Sequence, residues 1–353
     1  MSTPDVTVVT VTYDAEHLVR TCLDGLAAQD LDGLRMEVVV VDNASRDATA
    51  RVVADEYPGV TLLRAPRNLG FAGGNNLALR EVRSRYVVLL NNDAVAAPDA
   101  VRALVRAMDE APEDVAAMSA TVLLAGRFRA AAPDEDPADA VRGPDGLWVP
   151  DPDGDVRLVN STGNEVRRDG FGQDRGWLAD AARHHPARDV FGFSGAAAVL
   201  RTSALRDVGL FDESFFMYYE DTDLSWRLRL AGYRVQHCAG AVVDHEHAAS
   251  SGEGSDFFRF HDARNRLAVL TKDATARLAL AAVARFALTT LSLAVRRGRW
   301  DLVRTRSRAL ASWARMLPGL LRERRRVGRA ARVPRAHVEA LLVAPTTGYA
   351  YRA

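Results

Sequence analysis

Cysteine is nearly absent from this chain: Cys22 and Cys238 are the only two in 353 residues. Two thiols cannot make a disulfide framework, and a reducing cytosol is the simpler expectation. The N-terminus, Met1-Ser2-Thr3-Pro4-Asp5, lacks both a basic stretch and an apolar run, so no secretion signal is expected there. No internal repeat occurs. Net charge is lacking too, with 46 basic against 46 acidic residues, but the balance is not local. Residues 272–353 hold 18 Arg or Lys against 4 Asp or Glu, a net of +14, which leaves −14 on residues 1–271. Such asymmetry describes an acidic body and a basic tail that meets anionic lipid, nucleic acid or the body itself. A last absence concerns glycine. The apolar run 6–12 is followed by Thr12-Tyr13-Asp14-Ala15-Glu16-His17, with no glycine to admit a pyrophosphate, which argues against a G-x-G-x-x-G dinucleotide domain.

What is present is a chain of 48% hydrophobic residues, long enough to bury a large core. Its first 120 residues alternate apolar strand runs with amphipathic helix patterns, as a doubly wound α/β unit should. Strands are expected at 6–12, 37–41, 60–63, 86–90 and 115–119, and helices at 16–28, 47–57, 74–82 and 98–109. Residues 124–190 change character: Pro133, Pro137, Pro144, Pro150 and Pro152, with many Asp and Gly, mark loops and short hairpins. Order resumes with a strand-like run at 190–200, broken by Gly192 and Gly195, and a helix at 224–231 that stops at Gly232. From residue 274 the pattern is helical and arginine-rich.

In open α/β sheets, ligands bind beyond the carboxyl ends of the strands. Polar residues stand at three such ends here: Thr12-Tyr13-Asp14, Asp42-Asn43 and Asn91-Asn92-Asp93. Arg67-Asn68-Leu69-Gly70-Phe71-Ala72-Gly73-Gly74-Asn75-Asn76 is a glycine-rich stretch opening a helix, where backbone can approach a ligand and N–H groups favour an anion. Further on, Asp212, Glu213, Glu220, Asp221 and Asp223 are interleaved with the aromatic run Phe215-Phe216-Met217-Tyr218-Tyr219. Carboxylates beside so much aromatic surface are costly unless a cation or a substrate bonds them, and partial burial makes a carboxylate a better base. Asp244-His245-Glu246-His247 is dense in metal ligands, but alternate residues of an extended segment face opposite ways, so the four cannot share one ion. Asp42 and Ser45 also read as plain helix caps, and an isolated Asn-Asn-Asp as a polar turn.

Together these motifs resemble the inverting family-2 glycosyltransferases, nucleotide-sugar enzymes of GT-A fold, and most closely their rhamnosyltransferase-like bacterial branch. The resemblance covers roughly residues 5–272 with five motifs in order. It implies an α/β, Rossmann-like GT-A fold with a C-terminal helical extension. The implied divisions are a nucleotide-sugar-binding half (1–120), a variable loop-rich insert (121–190), an acceptor and catalytic half of the same domain (191–272), and a basic helical extension (273–353). By the resemblance, Asp221 is the general base and Glu220 holds acceptor hydroxyls or orients that base. Thr12, Tyr13, Asp42, Asn68, Gly70, Phe71, Gly73, Asn75 and Asn92 bind the donor, with Asp42 accepting the imide N–H of a uracil or thymine. Asp93, at the place of the family's DXD motif, and His245, followed five residues later by Ser250, hold Mg2+ or Mn2+. Two positions of that acid-rich motif are Asn here. Arg264-Asn265-Arg266 matches a further family pattern, read as pairing with phosphate or with the acidic motif.

In the tail, residues 278–295 form an apolar run of 18 with Arg285 near its middle. A spanning helix needs about 20 apolar residues, and a central Arg costs about 2.5–3.5 kcal/mol or more, so a span is disfavoured. Residues 302–321 interleave four arginines with Leu310, Trp313, Met316 and Leu320, a pattern suited to an anionic membrane surface. Docking on the acidic body, an oligomer contact and nucleic-acid binding are the alternatives, the last disfavoured because no nucleic-acid fold accompanies the charge. The expected partners are a UDP- or dTDP-sugar donor, with dTDP-rhamnose the first to test, and a glycan, lipid-linked or small-molecule acceptor. The expected location is cytoplasmic, at the inner face of the cell membrane. A noncatalytic nucleotide-sugar-binding scaffold and a nucleotidyltransferase are the rival readings.

Overall fold

The computed structural model describes residues 3–132, 135, 137, 139–246 and 255–345. The first part alternates as β1 (Val6–Thr12), α1 (Glu16–Ala27), β2 (Met36–Asp42), α2 (Thr49–Glu56), β3 (Thr61–Arg64), α3 (Gly70–Leu79), β4 (Tyr86–Leu90), β5 (Ala94–Ala96), α4 (Ala100–Glu110) and β6 (Val115–Leu124). The β1, β2 and β4 runs are β-branched and apolar on both faces, which suits parallel strands covered by helices on each side. One face (Val8, Val40, Val88) packs on α1, α2 and α4, and the other (Val9, Val41, Leu89) on α3. Helix α3 begins at Gly70, four residues earlier than its apolar pattern suggests. The Asn68 side chain accepts from Gly70 N at 2.8 Å and the Asn43 side chain from Leu69 N at 2.8 Å, supplying the start.

The middle contains β7 (Phe128–Ala130), β8 (Val141–Arg142), β9 (Leu147–Pro150), β10 (Val159–Ser161), β11 (Asn164–Val166) and β12 (Gly172–Asp174). Short hairpins are expected there and found, with a small core of Phe128, Trp148, Leu158 and Leu178 beneath them. The chain then runs through β13 (Asp189–Val190), β14 (Ala197–Arg201), α5 (Thr202–Val208), α6 (Glu220–Leu230) and β15 (Arg234–His245). The large sheet has the order β13-β15-β6-β14-β4-β1-β2-β3, with β10 beside β6 and β5 beside β15. Strands β1 to β4 are parallel, and β14 is inserted antiparallel between β4 and β6.

Helix α6 is buried all round, so no amphipathic period marks it. Leu224 and Leu228 face the sheet, whereas Trp226 and Leu230 face the C-terminal helices α7 (Asp256–Asp273), α8 (Ala276–Arg297), α9 (Trp300–Ala330) and α10 (Arg335–Glu339). It ends in a Schellman arrangement: Tyr233 N donates to Leu228 O, Gly232 N to Arg229 O, and Gly232 takes φ +88° where a side chain would strain.

The basic extension is docked on the body. Ala309, Leu320 and Val327 of α9 share a core with Trp226, Leu267 and Phe286, and Leu310, Trp313 and Met316 pack against it. Arg324 donates to the carbonyls of Thr271 and Ala274, Arg335 to those of Asp273 and Lys272, and Arg332 pairs with Asp207 at 2.9 Å. The apolar face of α9 that suits a membrane surface is therefore occupied by the body. Arg324 of α9 and Arg335 of α10 hold carbonyls at the C-terminal end of α7, and Arg332 between them pairs with the body.

Candidate active site

The strand ends of β1, β2 and β4 open into a cavity of ≈ 420 Å³ closed on the far side by the insert and by α6. Thr12, Tyr13, Asn43, Asn68, Gly70, Phe71, Asn92, Asp93, Glu220, Asp221 and His245 line it. Three buried polar atoms of this lining, Thr12 Oγ1, Asp93 Oδ1 and Glu220 Oε2, take no hydrogen bond within the protein. Buried polar atoms are almost always satisfied, so their concentration in one cavity marks a ligand site.

Asp93 and His245 lie far apart in sequence and are joined by the antiparallel bridge of β5 to β15, in which Ala94 pairs with His245. His245 Nε2 then stands 3.0 Å from Asp93 Oδ1, out of hydrogen-bonding alignment, and 3.2 Å from Asn91 Nδ2. On its other side, Nδ1 meets Asn160 Oδ1 at 2.6 Å. That carbonyl can only accept, so Nδ1 is the donating nitrogen and Nε2 faces the cavity side, beside Asn91 Nδ2 and Asp93 Oδ1. An imidazole nitrogen 3.0 Å from a buried, otherwise unbonded carboxylate oxygen fits a divalent cation held by both. Among the described residues no group of three or more His, Cys, Asp or Glu is gathered so that it could hold an ion. Mg2+ is commonly held by one or two carboxylates, the part Asp93 would play here, while substrate phosphates complete its shell. Ser250 and His247 lie outside the described residues. Asp244 points away and pairs with Arg157, as the alternation of an extended segment requires.

Asp221 sits in the first turn of α6, open to the cavity but walled by protein. Its Oδ2 accepts from Asn164 Nδ2 at 2.8 Å and Gly195 N at 3.1 Å, and its Oδ1 from Thr222 N at 2.6 Å. Burial pushes its carboxyl above the usual carboxylate range, with these donors pulling back. Glu220 is raised well above its ordinary value, by burial and by the charge of Asp221. The two adjacent carboxyls are therefore shifted in the same direction, Glu220 further than Asp221.

The preceding loop is strained: Phe216, Tyr218 and Tyr219 have φ between 67° and 70°. Asn265 Nδ2 lies within 3.0 Å of the carbonyls of Phe215, Met217 and Tyr218, and Arg264 donates to those of Ser214 and Phe215. Arg264 and Asn265 therefore hold this loop's backbone, not the acidic side chains, and Arg266 stacks 3.7 Å over the Phe171 ring. Of the remaining acids, Glu213 pairs with Arg80, whereas Asp212 and Asp223 both meet the buried Lys272.

Asp42, Gly73 and Asn75 are not among the cavity-lining residues. Asp42 Oδ1 accepts from Ser45 N at 3.1 Å, closing the turn after β2. Asn75 bonds back to Phe71 O, and a Cβ at Gly73 would stand 2.8 Å from that of Leu69. The N-terminus of α3 is not an open anion site either, since Leu69, Gly70 and Ala72 donate to Asn43, Asn68 and Phe216. A Cβ on Gly70 would lie 2.2 Å from Phe216 O, so that glycine, at φ +71°, lets the loop press onto the strained aromatic segment. The insert supplies what motif reading overlooked: Asn160 and Asn164. The polar run Asn160-Ser161-Thr162-Gly163-Asn164 after apolar Leu158-Val159 was the available signal.

A cavity at the strand ends of a mostly parallel sheet, with an Asp–His pair on one wall and a buried carboxylate at a helix start on the other, defines a GT-A sugar-nucleotide transferase. GalNAc-T7, solved with UDP, GalNAc and Mn2+, shares that fold at a TM-score of 0.57 and 12% identity, over 87% of this chain and 55% of its own. The profile described as Glycosyl transferase family 2 matches residues 7–136, and that of Glycosyl transferase family group 2 matches residues 178–303. The chain is 30% identical over 261 residues to the N-acetylglucosaminyl-diphospho-decaprenol L-rhamnosyltransferase of Mycobacterium tuberculosis, covering 69% of this chain and 77% of that one. Succinoglycan biosynthesis protein ExoO of Rhizobium meliloti is 35% identical over 114 residues, 32% of either chain. This chain belongs to glycosyltransferase family 2, in its rhamnosyltransferase-like part, and uses a nucleotide-sugar donor.

Proposed function

We propose that this enzyme moves a sugar, with L-rhamnose the first to test, from a dTDP- or UDP-sugar to a hydroxyl of a lipid-linked glycan acceptor, with inversion at the anomeric carbon. The observation that carries this reading is the placement of Asp221. It is a partly desolvated carboxyl group on the cavity wall, held on both oxygens by protein donors, in the cavity that Asp93 and His245 also line. Asp221 takes the proton of the acceptor hydroxyl as its oxygen bonds the anomeric carbon, and the nucleoside diphosphate departs with the electrons of the broken C–O bond. One displacement inverts the centre. Glu220, beside Asp221 on the cavity wall, holds an acceptor oxygen. Thr12, Tyr13 and Asn43 line the nucleotide end, and Asn68 and Phe71 flank it. A divalent cation held by Asp93 and His245 would offset the charge that gathers on the leaving diphosphate. The lipid-linked acceptor is suggested by the name of the mycobacterial relative.

The direct test is transfer of rhamnose from dTDP-rhamnose to polyprenyl-diphospho-N-acetylglucosamine, preceded by a thermal-shift screen of nucleotide sugars with Mg2+ or Mn2+. A true donor at 100 times its Kd stabilises the fold by about 2.7 kcal/mol. If no dTDP- or UDP-sugar shifts the melting temperature, the donor class is wrong.

The cation pair has its own test. Asp93→Ala and His245→Ala should abolish the Mn2+-dependent part of nucleoside diphosphate binding, read by calorimetry with and without chelator. Asn160→Ala, which frees the His245 ring, should weaken Mn2+ binding by about 10–100-fold. Mn2+ affinity unchanged in Asn160→Ala would remove Asn160 from this role, and full transfer activity in chelator would refute the metal.

A further inference from the structure

Helix α8 is long and apolar, with a mean hydropathy of 1.9 over Ala276–Val295, yet only 11% of that window is buried. Its inner side is fixed to the body by Ala282 and Phe286, which belong to the core shared with α7 and α9. Its outer side is not covered. Leu280, Leu288, Leu291 and Val295 fall on one helical face, and they and Trp300, just beyond the helix, are 61–75% exposed. Large aliphatic side chains in one exposed stripe are unusual on a soluble surface and mark an interaction site.

We propose that this stripe lies in the headgroup and outer acyl region of an anionic bilayer, with the helix parallel to the surface. The charge pattern selects that occupant. Between residues 277 and 299 the chain has five arginines and no acidic residue. An apolar stripe in a segment whose only charged residues are basic, with Asp301 just beyond it paired to Arg299, fits an anionic lipid surface. A second copy docked face to face would set arginines against arginines, because a two-fold contact uses the same patch twice. Crossing the bilayer is excluded by Phe286 and Ala282, which tie the opposite face to α7 and α9. Trp300 at the α8–α9 turn is the amphipathic side chain favoured at such an interface.

The position of α8 gives the docking a purpose under the proposed lipid-linked acceptor. The hairpin β11–β12 stands between helix and cavity and touches both. Arg285 approaches Asp169 of its turn at 4.0 Å, and Arg266 stacks on Phe171 while facing the Phe286 ring at 5.7 Å. The next residue, Gly172, lines the cavity and donates to Tyr219 Oη at 3.0 Å. A headgroup rising from the bilayer beside α8 would reach Asp221 over this hairpin.

The test needs no sugar, so it can fail independently of the proposed reaction. Full-length protein should co-sediment with vesicles of phosphatidylglycerol and phosphatidylcholine, and much less with phosphatidylcholine alone. Leu288→Glu with Leu291→Glu should weaken partitioning by about tenfold or more while UDP binding is unchanged. Brominated lipid should quench tryptophan fluorescence in the parent, and Trp300→Phe, a mild change at an exposed site, should remove most of that quenching. The proposal is overturned if the parent stays in solution, if the double variant sediments like the parent, or if quenching survives Trp300→Phe. It is equally overturned if the parent is a dimer that the Leu288/Leu291 variant converts to monomer.

Discussion

Asp221→Asn is expected to lower the rate of glycosyl transfer by about 10²–10⁴-fold while donor binding stays within a few-fold of the parent. The change is isosteric, but it removes the carboxylate that takes the acceptor's proton. Glu220 next to it is pushed still further up, by burial and by the charge of Asp221. Both Asp221 oxygens accept hydrogen bonds, from Asn164 and Gly195 on one side and from Thr222 on the other. An amide presents one acceptor only, so one pair of donors loses its partner at about 1 kcal/mol, which is small beside the kinetic loss. The pH profile supplies a second reading. A base must be ionised, so activity falls as pH drops through its pKa, and burial sets that midpoint above the ordinary value of about 3.9 for Asp. The acid limb should vanish from the residual activity of Asp221→Asn. Turnover near that of the parent, or an unchanged acid limb, would take the base role away from Asp221.

Lys272→Met is expected to destabilise the fold by about 3–5 kcal/mol, the cost of leaving buried charges without their partner. Lys272 is 1% exposed, and its ammonium lies 2.5 Å from Asp223 Oδ1 and 2.8 Å from Asp212 Oδ2. Arg227 completes the cluster, with Nε 2.8 Å from Asp223 and its other nitrogens on the carbonyls of Val208, Gly209 and Leu210. The cluster therefore ties α7, α6 and the aromatic loop together at the base of the active site. Against burial, which raises it, Lys272 holds Asp212 down at about 2. A carboxyl lowered on folding contributes stability that is present above its unfolded pKa of about 3.9 and is lost as pH falls toward 2. Urea unfolding of the parent should show that loss between about pH 4 and pH 2, and Lys272→Met should not. A destabilisation below about 1 kcal/mol would mean that water solvates the cluster.

The strands β1, β2 and β4 are legible because parallel strands covered on both faces must be apolar and β-branched throughout, a local requirement. The places of Thr12, Tyr13, Asn92 and Asp93 follow from the same runs, since ligands gather where such strands end. Helix α6 is less legible. Its exposed-to-buried period is erased by burial on every side, and Asp223, Arg227 and Arg229 inside it look like surface residues until their partners are known. The docking of α9 was open for the same reason: its basic, Trp- and Leu-bearing pattern suits lipid or protein equally.

By itself the sequence determined the α/β alternation, the order of the strand-end motifs and the acidic–aromatic block that holds the candidate base, because each depends on residues close together in the chain. Only the tertiary structure decided which acids face the cavity and which are consumed by Lys272, Arg227 and Arg80. It also decided that Asn160 and Asn164 of a loop-rich insert orient His245 and Asp221, and that α8 rather than α9 offers the uncovered apolar face. These are contacts between segments tens to hundreds of residues apart. Their energies depend on burial and on distances of about 3 Å, which no local pattern of residues specifies.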